Sequence, residues 1–84
     1  MPFRSEHAAR QLPPERFSRF ARKQLAPGVF AILGIDGSGT SQIQSLRFEK
    51  TRFSPVEARA WLARHGFQTG LEEALDDRAV PEWM

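Results

Sequence analysis

Ser5, Glu6 and His7 are the residue types of a nucleophile, an acid and a base. Three consecutive positions do not converge on one reacting atom, because successive side chains leave the backbone in different directions. Their plainer use is local: Ser5 is a good N-cap and Glu6 suits the positive end of a short helix that Pro13-Pro14 would stop. His65 falls where a later helix ends, a position that favours a cation. Glu72, Glu73, Asp76 and Asp77 bring four carboxylates together, but their spacing matches no calcium loop. With no cysteine and only His7 and His65, no ligand set for tetrahedral zinc exists. These residues point to no catalytic group, no metal and no cofactor.

Gly34-Ile35-Asp36-Gly37-Ser38-Gly39-Thr40-Ser41 follows an apolar run and resembles the phosphate-binding loop of P-loop kinases. It departs at the decisive place. Thr40 stands where that pattern needs the lysine that reaches the phosphates. The loop should also open a helix whose N-terminus faces the anion, yet residues 41–49 show no helical apolar stripe. The composition is that of a tight turn with positive φ angles between two strands.

The flanking segments fit that turn. Val29 to Ile35 is a nearly continuous apolar run bounded by glycines, and residues 41–49 form its half-exposed return. Ser54-Pro55-Val56-Glu57 has the spacing of a capping box with proline at the first helical position. The helix it opens puts Ala58, Trp61, Leu62 and His65 on one face, with Trp61 and Leu62 as core anchors and Gly66 as its stop. Pro14 predicts another helix, since Phe17, Phe20, Ala21 and Leu25 follow at helical spacing before Pro27-Gly28. Thr69-Gly70-Leu71-Glu72 repeats the capping spacing ahead of a short acidic helix carrying Leu71, Ala74 and Leu75. The expected fold is a single α+β domain over 1–84. A β-hairpin (about 29–35 and 41–49) packs on a helix (about 55–65), with short helices at both ends and a flexible tail at 79–84. A two-stranded sheet is marginal, so a third strand is expected near Phe67 or from a second subunit, which leaves room for a homo-oligomer.

Charge is unevenly placed. The net charge is +2, but the first 25 residues hold six basic and two acidic side chains, and the last fifteen hold one basic and five acidic. Arg16, Arg19, Arg22 and Lys23 interleave with Phe17 and Phe20, and with Arg47 and Arg52 they form a candidate surface for a protein partner or for nucleic-acid phosphates. Glu72, Glu73, Asp76 and Asp77 form an acidic counterpart, able to neutralise the basic segment or to imitate a phosphate backbone. Trp83-Met84 makes the tail a further contact element. No stretch approaches the roughly 20 apolar residues that span a bilayer, and Met1 to Glu6 holds no signal-peptide core, so the chain reads as intracellular.

Ser5-Glu6-His7-Ala8-Ala9-Arg10, Gln44-Ser45-Leu46-Arg47-Phe48 and the run Phe53 to Gly66, with its Glu57-Ala58 and Trp61-Leu62, resemble a small module of tailed-phage and prophage proteins. The likeness covers roughly residues 5 to 67 and brings no catalytic residue. It implies a non-enzymatic phage or prophage accessory protein, in the host cytoplasm or on the virion, that binds another protein, with inhibition of a host complex as a special case. The residues themselves hold open a second reading, nucleic-acid binding through the basic segment.

Overall fold

The computed structural model describes residues 5–74. The elements in chain order are β1 (Glu6–Arg10), a single 3-10 turn (Pro14–Arg16), β2 (Arg19–Ala26), β3 (Val29–Ile35), β4 (Ser41–Glu49) and α1 (Pro55–Arg64). The hairpin and the helix fall where the sequence places them. The terminal helices do not. Residues 6–10 and 19–26 are strands, and residues 69–74 form no helix, with Glu72 bridging to Ala8. The remainder of the acidic segment, including Leu75, Asp76 and Asp77, lies outside the described residues, as does the 79–84 tail. The reason is tertiary. A weakly helical segment beside an apolar hairpin gains a full ladder of backbone hydrogen bonds by joining it, which outweighs a local propensity worth tenths of a kcal/mol per residue.

All four strands are antiparallel in the order β1-β4-β3-β2. The third strand expected near Phe67 or from a second subunit thus comes from within the chain, and a fourth with it. Period-two alternation sorts the side chains into two faces. One face carries Ala9, Val29, Ala31, Leu46 and Phe48, and these close on Ala58 and Leu62 of α1 to form the core. Phe48 meets Phe53 and Trp61 edge to face, at centroid distances of 5.3 and 5.6 Å. Trp61 is only half-buried and stacks between His65 and Phe67. The capping box is complete: the Glu57 N–H donates to Ser54 Oγ, and the Ser54 N–H donates to Glu57 Oε1. Gly66 closes the helix with φ +77°.

Asp36 to Thr40 is the turn between β3 and β4. Asp36 Oδ1 accepts from the Ser38 hydroxyl and from the Ser38 and Thr40 N–H groups, and Gly39 takes φ +88°. The Ser38 hydroxyl and the Ser38, Gly39 and Thr40 N–H groups of this supposed phosphate loop are therefore turned onto its own aspartate. A bulge in β4 sits at Gln44, where the register steps from Ile32 opposite Ser45 to Leu33 opposite Ile43. The bulged backbone carbonyl accepts from Gln11 and Leu12, and the Gln44 amide donates to the Leu12 carbonyl, so one irregular residue anchors the exit of β1.

Candidate functional site

A sheet of this order has two edges, and they differ. Outside β1, the Ala8 and Glu72 backbones exchange two hydrogen bonds of 2.9 and 2.7 Å, and Gln11 and Gln68 are joined by side-chain bonds just beyond. Outside β2 no described segment pairs. Arg19 to Leu25 are exposed throughout, so β2 presents an open backbone and both of its faces. Arg19, Ala21 and Lys23 share the α1 side of the sheet, whereas Phe20, Arg22 and Gln24 share the opposite side. Phe20 is 50% exposed and meets Phe17 edge to face at 6.2 Å.

The basic residues singled out in the sequence are thus spread over several surfaces. Arg22 lies over the Phe30 ring, 4.1 Å from its centroid, and holds the Glu6 carboxylate with both terminal nitrogens. That carboxylate keeps the guanidinium more firmly protonated than usual. Arg47 reaches the same Glu6 at 3.9 Å and donates through Nε to Ser45 Oγ, while partial burial weakens its hold on the proton. Arg52 pairs with Glu49, and Arg16 sits on the 3-10 turn. Arg19 and Lys23 alone share the exposed α1 side of β2. The acidic group is divided as well: Glu72 serves the β1 edge, Glu73 pairs with Arg59 at 3.0 Å, and Asp76 and Asp77 lie outside the described residues. Leu62 is fully buried, and Trp61 lies at the core margin.

Two features escaped the sequence. His7 is buried in β1, not at a helix start; Nε2–H donates to the Phe53 carbonyl, and Nδ1 accepts from the Ala74 N–H. Those partners fix the tautomer and tie residue 74 to the sheet. On the face away from α1, Ala8, Arg10, Ser45 and Arg47 line a groove of about 560 Å³ walled by Gly70, Leu71 and Glu72. Three remote stretches build it, so no local motif marks it. Among the described residues no group of three or more His, Asp and Glu could hold a metal ion, and no helix is long and apolar enough to cross a membrane.

Residues 18–67, more than half of the chain, match the family model described as BRX, transcription factor regulating root and shoot growth via Pin3. The chain belongs to the BRX family. The match takes in β2, β3, β4 and α1, the elements that build the meander and the core. It overturns the phage reading, and with it the accessory-protein and inhibitor functions that followed. The residues behind that resemblance serve general needs: Ser54 and Glu57 cap a helix, Leu62 fills the core, and His7 bonds backbone groups. No curated protein and no solved structure matches the chain.

Proposed function

We propose that this BRX chain is a non-catalytic protein-binding module that takes an extended segment of its partner as a fifth strand along β2. One observation carries the reading: β2 is an uncovered edge, exposed on both faces from Arg19 to Leu25, while the opposite edge is bridged by the chain's own Glu72. Natural sheets blunt or cover free edges, so a long open one that carries Phe20 is suited to pairing. Main-chain bonds would supply affinity and alternate side chains would supply selectivity. On the α1 side the incoming strand meets Arg19 and Lys23, which favours acidic residues at every second position; on the other side it meets Phe20. The family's description as a transcription factor supports placing this module in a regulatory protein.

The experiment is selection of binding peptides from an unbiased displayed library, followed by hydrogen exchange of the whole protein with and without the selected peptide. Slowed exchange at residues 19–26 is expected, together with loss of binding in Phe20→Asp. A footprint elsewhere, or salt-sensitive binding of duplex DNA in place of peptides, would overturn the reading.

A further inference from the structure

His7 holds its two backbone partners in only one protonation state. A carbonyl can only accept, so the 2.9 Å bond to Phe53 needs a proton on Nε2. An amide N–H can only donate, so the 2.8 Å bond from Ala74 needs the lone pair of Nδ1. Both contacts therefore exist together only with a neutral ring. A second proton would occupy that lone pair and set two N–H groups against each other. Histidine is the side chain that takes up such a proton between about pH 5 and pH 8.

The surroundings offer that proton no acceptor. On the α1 side of the sheet the strand neighbours of the ring are Ala9, Leu46 and Phe48, because Glu6, Arg10, Arg47 and Glu49 lie on the opposite face. The segments packed around it carry Lys50 and Arg52 before α1, Glu57 and Arg59 on it, and Glu72 and Glu73 after it. Their carboxylates are placed elsewhere: Glu57 accepts from the Ser54 N–H, Glu73 pairs with Arg59, and Glu72 lines the groove on the opposite face. The ring is buried, and a charge left there without a partner is costly, so opening Nδ1 to water is the favourable response. Little else resists it. Glu72 exchanges two backbone bonds with Ala8, and the Arg59 pair with Glu73 is exposed, a kind of contact that contributes little.

We infer that protonation of His7 releases residues 72–74 from β1, while Leu71 stays packed against the core. The β1 edge, covered by the chain itself while the ring is neutral, then presents the Ala8 N–H and carbonyl to another extended segment. This is a proton-operated cover for one edge of the sheet, and it holds whether or not β2 takes a strand.

The test is nuclear magnetic resonance of the whole protein titrated from about pH 8 to about pH 5, with the His7 ring nitrogens reporting its charge and amide protection reporting the attachment. As the ring gains its proton, protection at Ala8, Glu72 and Ala74 should fall at least about tenfold while the β3 amides keep theirs. In His7→Asn, whose side-chain oxygen stands near the Nδ1 position and takes no proton in this range, the same amides should lose their pH dependence. His65→Gln, at the exposed end of α1, should leave the transition unchanged. A His7 ring that stays neutral throughout, or protection at Ala74 that survives its protonation, would overturn the inference. So would a simultaneous loss in β3, or a transition that persists in His7→Asn or follows His65 instead. None of these outcomes bears on the β2 footprint, so the two proposals fail separately.

Discussion

The ring of Phe17 lies directly over Gly34, closer than any side-chain carbon at that position would allow. Phe17 follows the 3-10 turn and Gly34 is the penultimate residue of β3, so the contact fixes how the chain enters β2. Gly34→Ala should expel the ring and destabilise the fold by about 1 to 3 kcal/mol, the range of overpacking in a filled site. Urea denaturation would measure it, and the loss should shrink when Phe17→Ala is added, because the clash is then relieved.

His7 joins two backbone groups far apart in the chain: the Phe53 carbonyl and the Ala74 N–H. Replacement by Ala should cost about 1 to 3 kcal/mol, the usual range when a buried polar group is stranded. Amide exchange at Ala74 should quicken far more than exchange in β3. Equal quickening everywhere would mean that the histidine supports the whole sheet and not this attachment.

Core truncations should rank by burial. Leu62 is fully buried, so Leu62→Ala should cost about 2 to 5 kcal/mol. Trp61 lies half-buried between His65 and Phe67, and Trp61→Ala should fall near about 3 kcal/mol, the low end for an aromatic. Thermal melts of the two variants give the order directly.

Hydrogen bonds from Ser54, chiefly its backbone N–H, hold the Glu57 carboxyl below the usual carboxylate range. The Ser38 hydroxyl, with the Ser38, Gly39 and Thr40 N–H groups, does the same for Asp36. Both groups release their protons more readily in the folded chain. Their contribution is fully present above the ordinary carboxylate value of about 4 and disappears as pH falls through the lower folded values. Melting temperature should therefore drop at acid pH, and Glu57→Gln together with Asp36→Asn should flatten that drop. An unchanged acid limb in the double variant would assign the loss to other carboxylates.

The elements with strong local signals were legible in the sequence. Val29 to Ile35 is apolar and glycine-bounded, Asp36 to Thr40 is rich in turn residues, and Ser54 with Glu57 forms a capping box; each folds as its residues dictate. β2 was hidden for a physical reason. Exposed on both faces, it carries no alternation of apolar and polar residues, and Phe17, Phe20, Ala21 and Leu25 fall by chance at helical spacing. β1 is short, and both faces are covered around Ala8 and Ala9, so its pattern is equally silent. The groove and the His7 contacts join residues separated in sequence by up to 67 positions, and no local pattern records such meetings.

The sheet order also sets a timetable. β2, β3 and β4 follow one another through short turns, so their pairing closes small loops, while β1 must find β4 from some forty residues away and residue 72 must then find β1. Small loops close at lower entropic cost. The meander should therefore form early and the β1 fastening late, leaving a transient species in which β4 as well as β2 is bare. A nascent chain of this kind is most prone to pair with a neighbour before its last residues arrive, and the backbone bonds between Ala8 and Glu72 end that interval.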